Sequence, residues 1–244
     1  ETSPVLTLNH YYGGSNKIGT VGVALDIVDI KIDDSEGDYR PGEGEILAPG
    51  PNIMQGYYKQ PEQTAEVFKE LNGKRYFKTG DIGMFVDGPN NKKYLKITDR
   101  KKELLKTSGG KYVAPAPIEG RLKEDFLIEQ AMVVGDQKKF VSAVIVPAVD
   151  ALKAWCEENQ IAWTSISDII HHPKVLEKYQ QAIDEVNKDF SHIEQIKKFA
   201  LIPQTWEATR NDGTEAELTP TMKLKRRVIL DKFADVIDKI YENT

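Results

Sequence analysis

The 244 residues are enough for one large domain or two of ordinary size, and 40 % hydrophobic with 29 % charged residues is typical of a soluble globular protein. The net charge of -5 argues against a nucleic-acid partner, and a single cysteine, Cys156, excludes an internal disulfide framework. The sequence has no Cys/His cluster of the kind that binds zinc. No apolar run reaches the roughly 18 residues that span a membrane.

The first hundred residues carry short apolar runs, partly alternating with polar residues and separated by Gly, Pro and Asn turns, which predicts antiparallel strands. The predicted strands are a pair within 18–32, one strand at 45–48, two short strands within 76–86 and one strand at 93–98. Pro61 is well placed to open a helix over 62–70, because proline suits the first helical turn.

The rest of the chain mixes helices and strands, as in a small α+β domain. Ser165 or Ser167 is expected to cap a short helix. The predicted helices are 115–124, 150–159, 173–190 and 225–241, and the predicted strands are 129–135, 140–147 and 196–202.

A basic stretch lies between these two regions. Residues 92–111 contain eight Lys or Arg against Asp99 and Glu103, although the whole chain is acidic. Such local positive charge fits a phosphate or carboxylate ligand, and it also fits a solvated linker between two packed units. A charged connector with few apolar residues at 99–102 is what a mobile joint between two cores requires.

Five segments occur in an order that resembles a known family. They are ETSP (1–4), GEGEILAPGPNIMQGYYKQPE (42–62), YFKTGDIG (76–83), ITDRKKELLKTSGGKYVAPAPIE (97–119) and LTPTMKLKRR (218–227). Together they resemble the second half of an AMP-forming long-chain fatty acyl-CoA synthetase, in the adenylate-forming superfamily with firefly luciferase and peptide-synthetase adenylation domains. The resemblance implies an α+β chain. Residues 1–99 would be the strand-rich, β-barrel-like remnant of a large N-terminal domain, and 100–244 a small mobile C-terminal domain with its hinge at 99–102.

The resemblance assigns three roles around the end of the first region. Asp81 would accept hydrogen bonds from the ribose hydroxyls of ATP and AMP, a role that a carboxylate can fill with charge-assisted bonds. Arg100 would contact the adenylate, because its planar fork suits phosphate or ribose oxygens. Lys102 stands at the position of the family's hinge residue. The alternatives from the residues alone are an Asx turn at Asp81 and a surface ion pair from Arg100 to Asp99 or Glu103.

Lys223 is the candidate catalytic residue. By resemblance, its ammonium would offset the charge that develops as the acyl-adenylate forms. The segment Pro220–Met222 departs from the usual pattern, in which Gly directly precedes the lysine, and looks like the long-chain branch of the family. This departure leaves Lys223 and Lys225 open as the catalytic lysine. From the residues alone, the start of a solvated basic helix is the other reading.

Two further sites follow from the resemblance. Ser108, Gly109 and Gly110 would line the tunnel in which the thiol of CoA attacks, where glycine permits close backbone approach. An ordinary glycine turn is the alternative. Glu1 would match the acidic residue of the family's Mg²⁺ site, and it cannot hold a metal ion alone.

The expected parent enzyme activates a fatty acid with ATP and Mg²⁺ to acyl-AMP and passes the acyl group to CoA. Because the chain begins inside the family pattern without Met, we expect a piece of a longer protein that is inactive alone. One cysteine fits a reducing, cytoplasmic setting, with membrane association of the parent left open. The alternatives are an adenylate-former that loads a carrier protein, and a non-catalytic module that binds anions or partners.

Overall fold

The computed structural model describes residues 1–37 and 39–242, and the chain divides into two compact units, Glu1–Leu104 and Leu105–Thr244. Each unit contains its own cluster of buried hydrophobic side chains. No helix among the described residues is both long enough and apolar enough to cross a membrane.

Unit 1 is built of antiparallel strands, as the sequence predicts. Short 3₁₀ turns occur at Tyr12–Gly14, Pro89–Asn91 and Lys101–Glu103. The regular elements are β1 (Thr7–Leu8), β2 (Val23–Ala24), β3 (Lys31–Asp33), β4 (Glu43–Ala48), α1 (Pro61–Glu66), β5 (Phe68–Leu71), β6 (Lys74–Asp87) and β7 (Lys93–Arg100).

The long strand β6 organises the main sheet of unit 1. One edge of β6 pairs with β4, and the other edge pairs first with β5 and then with β7. Gly80, between these two partners, has a φ of 72°, a left-handed conformation that glycine adopts without strain. The prediction of two short strands within 76–86 is therefore wrong, because the chain continues through this irregularity as one strand. The sheet does not close on itself among the described residues.

The predicted helix over 62–70 is too long. Helix α1 ends at Glu66, and the next residues form β5 on the edge of β6. Phe68 lies against Phe77 in an edge-to-face arrangement with ring centroids 5.6 Å apart. This cross-strand contact overrides the local sequence pattern, as packing commonly does for short segments.

Unit 2 combines five strands and six helices among its described residues. Ser165 caps α4, since its side chain accepts a hydrogen bond from the backbone of Asp168. The elements are β8 (Leu105–Lys106), β9 (Tyr112–Val113), α2 (Pro115–Leu122), β10 (Ile128–Val134), β11 (Ser142–Pro147), α3 (Val149–Glu158), α4 (Ile166–Ile169), α5 (Pro173–Asn187), β12 (Lys198–Leu201), α6 (Arg226–Lys232) and α7 (Ala234–Tyr241).

A three-stranded sheet, ordered β10-β11-β12, forms the centre of unit 2. β11 runs antiparallel to β10 and parallel to β12. Alternate residues enter two different cores, because successive side chains of a strand point to opposite faces. Ala131, Val133, Ala143 and Ile145 pack with residues of α2, α3 and α5. Met132, Val134, Val144 and Val146 pack with residues of α6 and α7.

The predicted single helix over 225–241 is divided. Helix α6 ends at Lys232 and α7 begins at Ala234, because Phe233 leaves the helical conformation at φ −113° and ψ 23°. The Phe233 side chain is buried against Trp206, with ring centroids 6.3 Å apart. No proline or glycine marks this break in the sequence, so it arises from packing.

Candidate functional site

Asp81 and Arg100 form an ion pair in unit 1. They face each other across β6 and β7, and the Arg100 Nε lies 2.7 Å from the Asp81 Oδ1. The Asp81 side chain is 23 % exposed, whereas that of Arg100 is 67 % exposed. Burial raises the pKa of Asp81, and the positive charge of Arg100 offsets part of this effect. The sequence offered a surface ion pair of Arg100 with Asp99 or Glu103 as the alternative. In the structure, the Arg100 side chain pairs with Asp81 instead.

The backbone next to Asp81 is fixed by Thr79. The Thr79 hydroxyl donates to the carbonyl of Ile46 at 2.9 Å and accepts from the Asp81 N–H at 3.1 Å. Gly80 lies between them with its positive φ. The Thr-Gly-Asp segment therefore presents a half-buried carboxylate and an exposed guanidinium together, which can receive a diol and a neighbouring anion.

Lys101 is a charged residue that the sequence reasoning missed. Its ammonium lies 2.7 Å from Glu36 and 2.7 Å from Glu45, and the Glu45 side chain is only 4 % exposed. Burial alone would lower the pKa of Lys101, but hydrogen bonds to the two carboxylates outweigh burial and raise it. Lys101 thus fixes the residue that follows β7 to the sheet of unit 1.

Lys102 is exposed in the 3₁₀ turn Lys101–Glu103, two residues before the end of unit 1. On the other side of the division, Lys106 is tightly held within unit 2. Its N–H donates to the Asp136 carboxylate at 2.9 Å, and its carbonyl accepts from the Gln137 N–H at 2.7 Å. These contacts fix the chain up to Lys101 in unit 1 and from Leu105, which pairs with Val113, in unit 2.

The segment Ser108, Gly109 and Gly110 forms an exposed turn between β8 and β9. Gly110 has a φ of 79° and donates its N–H to the Thr107 carbonyl at 2.8 Å. Gly109 has an ordinary φ, and a Cβ added there would meet only the Thr107 hydroxyl, at 3.9 Å. The turn itself therefore requires glycine at 110 and leaves open space beside 109.

Lys223 stands at one end of a tight turn. The Thr219 N–H donates to the Lys223 carbonyl at 2.8 Å, and the Lys223 N–H donates to the Thr219 hydroxyl at 3.0 Å. Leu218 and Leu224 form an antiparallel bridge beneath this turn. The hairpin, residues 218–224, presents the exposed Lys223 side chain outward.

The cations that follow Lys223 are engaged in ion pairs. Lys225 lies 3.6 Å from Glu215, and Arg227 lies 3.3 Å from the same carboxylate. Arg226 pairs with the buried Glu119 at 2.8 Å. Among the described residues no ion pair engages the Lys223 ammonium. This difference separates Lys223 from Lys225 and favours Lys223 as the residue available to a ligand.

Glu1 contributes one exposed carboxylate, which accepts a hydrogen bond from the Tyr57 hydroxyl. This bond raises the pKa of Tyr57. Within the described ranges no group of three or more His, Cys, Asp or Glu side chains could hold a metal ion. Glu1 alone would suit Mg²⁺ only if phosphates and water completed its octahedral shell, which is how that ion is commonly held.

Two comparisons of the sequence agree with one another. The profile of the family described as "AMP-binding enzyme C-terminal domain" matches residues 102–244. The long-chain-fatty-acid–CoA ligase FadD15 of Mycobacterium tuberculosis is 39 % identical over 226 residues, which cover 92 % of this chain and 34 % of that protein. Human long-chain-fatty-acid–CoA ligase 1 is 34 % identical, over 82 % of this chain and 27 % of that protein. The chain thus spans about a third of the length of these relatives.

A solved structure has a similar fold. The A-PCP didomain of carboxylic acid reductase from Segniliparus rugosus, in complex with AMP, superposes with a TM-score of 0.62. The two chains are 20 % identical, and the match covers 93 % of this chain and 30 % of that one. At this identity the likeness concerns the fold.

Proposed function

The chain belongs to the family of AMP-binding enzyme C-terminal domains, and we propose that it is the C-terminal part of an AMP-forming long-chain fatty acid–CoA ligase. Membership confirms the resemblance drawn from the five sequence segments. The named ligases of similar sequence support fatty acid as the substrate class and CoA as the acceptor, and the AMP-binding family supports ATP as the activating substrate. The proposed activity is that of a longer protein, of which this chain would supply two units.

The observation that carries the proposal is the state of the Lys223 ammonium. In the segment from 223 to 227, Lys225, Arg226 and Arg227 are bound to carboxylates of unit 2. Lys223 is exposed on a hydrogen-bonded hairpin and has no ion pair among the described residues. An exposed ammonium that no described carboxylate of the fold engages is available to an anionic phosphate and carboxylate, and Lys223 holds this state at the motif position of the family's lysine.

In the first half-reaction, a carboxylate oxygen of the fatty acid attacks the α-phosphorus of ATP. The bond from that phosphorus to the pyrophosphate oxygen breaks, which yields acyl-AMP and pyrophosphate. Lys223 would neutralise charge on the α-phosphate and the attacking carboxylate. Asp81 would accept the ribose hydroxyls, and Arg100 would leave its bond with Asp81 or bridge to the nucleotide.

In the second half-reaction, the sulfur of CoA attacks the acyl carbonyl carbon and the bond to AMP breaks. The thiol proton passes to solvent, and the products are the thioester and AMP. Ser108, Gly109 and Gly110 would border the path of the thiol. Lys102 would be the hinge about which unit 2 turns between the two half-reactions, because Lys101 is held in unit 1 and Leu105 and Lys106 are held in unit 2.

Mg²⁺ would balance the charge of the ATP phosphates in the first half-reaction. Glu1 would be the residue of this chain that holds it, and its carboxylate is oriented by the Tyr57 hydroxyl.

The proposal is tested in a full-length ligase that contains this chain. We expect fatty-acid-dependent exchange of labelled pyrophosphate into ATP, and thioester formation that requires CoA. If the full-length protein forms acyl-AMP but transfers the acyl group only to a carrier protein, the acceptor is that carrier protein and not CoA. A protein that binds AMP, CoA and an acidic peptide equally in calorimetry, without exchange activity, would overturn the enzyme assignment.

The purified 244-residue chain provides a separate prediction. We expect no ATP- and CoA-dependent thioester formation by this chain alone, since the family's phosphate-binding loop and acyl pocket would lie in the rest of the longer protein. Mass-spectrometric detection of acyl-CoA after incubation with fatty acid, ATP and CoA is the measurement. A turnover above that of a heat-treated sample would contradict the prediction.

A further inference from the structure

Two buried carboxylates adjoin the Lys223 hairpin, one through its place in the sequence and the other through an ion pair. The proposed chemistry gives neither of them a role. Glu217 is 1 % exposed and directly precedes the hairpin, residues 218–224. Glu119 is 6 % exposed and binds the arginine that begins α6, directly after the hairpin and Lys225. Carboxylates are almost never buried unless they are paired, so the partners of these two residues show what their burial fixes.

Glu217 is held by two cations and one backbone group. The Arg210 Nε donates to both carboxylate oxygens at 2.9 and 3.1 Å, and the Lys232 ammonium lies 2.7 Å away. The backbone N–H of Glu207 also donates to the Glu217 carboxylate, at 3.2 Å. Burial alone would raise the pKa of Glu217, but the bonds from Lys232 and Arg210 outweigh burial and lower the pKa to about 2.

The backbone of Glu217 continues this connection to the hairpin. Its carbonyl accepts the N–H of Lys225 at 2.8 Å, directly beneath the bridge of Leu218 and Leu224. The Glu217 side chain is bound to Lys232 near the end of α6. The strand that leads into the hairpin is therefore tied to the helix that follows it.

Glu119 holds the other side. One carboxylate oxygen receives the Arg226 Nη2 at 2.8 Å, and the other accepts the N–H of Val133 at 2.7 Å. Arg226 is the first residue of α6 and lies three positions after Lys223. The start of α6 is thereby tied to both α2 and the central sheet strand β10.

The hairpin lies between these two buried pairs. Its tip is exposed, so no burial of the tip itself fixes the lysine. Met222, beside Lys223, has a φ of 62°. The position of the Lys223 backbone is instead determined where the hairpin joins the fold. An ammonium that neutralises developing charge must be held near its productive place, because small misplacements are costly in rate.

We propose that Glu119 and Glu217 are positioning residues for Lys223 in the adenylation half-reaction. The proposal rests on the function assigned to Lys223 above, and it goes further by giving the two buried ion pairs a catalytic consequence. The carboxylates do not touch the substrate. They hold the two sides of the hairpin, so that the free ammonium meets the α-phosphate in one place.

The test uses Glu119→Gln and Glu217→Gln in a full-length ligase that contains this chain. Glu215→Gln is the matched control, because Glu215 is a carboxylate of the same region that pairs with Lys225 and Arg227 at the surface. We expect each buried substitution to lower kcat for pyrophosphate exchange at least about 10-fold, with KM for ATP near the wild-type value. Thioester formation from supplied acyl-AMP should persist, and the control should keep both half-reactions.

A double-mutant cycle with Lys223→Ala separates positioning from general stability. If the carboxylates act through Lys223, then Glu119→Gln or Glu217→Gln should cause no further loss of exchange once Lys223 is absent. Equal losses in both half-reactions, an unchanged exchange kcat, or full additivity with Lys223→Ala would overturn the proposal. Lys223→Ala that itself retains wild-type exchange would instead overturn the function assigned to Lys223.

Lys232→Gln keeps the test decisive if a buried substitution prevents folding. Lys232 is one of two cations on Glu217, and Arg210 would still pair with the carboxylate. We expect a smaller fall in exchange kcat than for Glu217→Gln, again absent in the Lys223→Ala background. An unchanged exchange kcat in this folded variant would count against the proposal.

Discussion

Within the segment 223–227 of unit 2, the cations that follow Lys223 are bound to carboxylates, whereas no described carboxylate engages the Lys223 ammonium. Lys225, Arg226, Arg227 and Lys232 all pair with carboxylates, and two of those carboxylates are buried. The Lys223 ammonium has no such pair among the described residues. The chemistry proposed for Lys223 follows from this contrast as much as from its place in a motif.

Because of Glu217, the stability of unit 2 depends on pH. Its pKa is about 2 in the fold and 4.5 without the fold, so the folded state favours the ionised form. The stabilisation is fully present above about pH 4.5 and is lost as the pH falls through about 2. A shift of this size corresponds to about 3 kcal/mol at neutral pH.

The corresponding prediction concerns Glu217→Gln. Urea unfolding of the chain, followed by the fluorescence of its three tryptophans, which all lie in unit 2, should show a loss of about 3 kcal/mol at pH 7. The difference between variant and wild type should narrow as the pH is lowered from 4.5 toward 2. Glu215→Gln should unfold like the wild type at both pH values. A pH-independent difference would show that the charge of Glu217 is not its source.

Gly109 and Gly110 should respond differently to substitution, although they are neighbours. We expect Gly109→Leu to leave the free energy of unfolding within about 0.5 kcal/mol, since a side chain there enters open space at ordinary φ. In a full-length ligase, the same substitution should obstruct thiol attack and spare pyrophosphate exchange. Gly110→Ala should instead destabilise by about 1 kcal/mol because of its positive φ.

Thermal or urea unfolding and separate assays of the two half-reactions check both glycines. A Gly109→Leu ligase with normal thioester formation would remove Gly109 from the proposed tunnel. An unchanged stability of Gly110→Ala would mean that the turn readily adopts another conformation.

At the scale of elements, the end of β7 is joined to the sheet of unit 1 through Lys101. The ammonium lies between Glu36 and the buried Glu45 on β4. This contact fixes the residue immediately before Lys102. The proposed hinge motion would then begin after Lys101 and before β8 (Leu105–Lys106), which is already paired within unit 2.

We therefore expect Lys101→Gln to destabilise unit 1 by about 1–3 kcal/mol, because Glu45 would remain buried without its cation. Lys93→Gln is the matched control, since Lys93 pairs with Asp87 at the surface and should change stability by less than about 1 kcal/mol. Urea unfolding at pH 7 measures both. Equal effects of the two substitutions would contradict the role given to the Lys101 contacts.

Local patterns predicted many of the elements. Proline at the first turn correctly indicated α2 and α5, and two apolar runs linked by a turn at 136–137 correctly indicated β10 and β11. Strand β5 and the break at Phe233 were missed, because pairing with β6 and packing on Trp206 decide them. Such contacts join residues far apart in the chain, and no local spacing records them.

For the whole molecule, the order of the motifs was more informative than any one of them. It indicated the family and placed Asp81 with Arg100, which the structure brings together as an ion pair. The pairs Lys101 with Glu45 and Glu119 with Arg226 could not be predicted, since they link residues 56 and 107 positions apart. Glu119 lies at the end of the segment 97–119 and Glu217 directly before the segment 218–227, but no local pattern marks either carboxylate as buried.

Separate assays of the two half-reactions in a Lys223→Ala ligase test whether Lys223 acts in adenylation. Pyrophosphate exchange should fall about 100-fold or more, while thioester formation from supplied acyl-AMP should remain near the wild-type rate. Lys225→Ala should retain exchange, since that lysine pairs with Glu215. Exchange that survives Lys223→Ala, or exchange and thioester formation lost together, would show that Lys223 is not the adenylation residue.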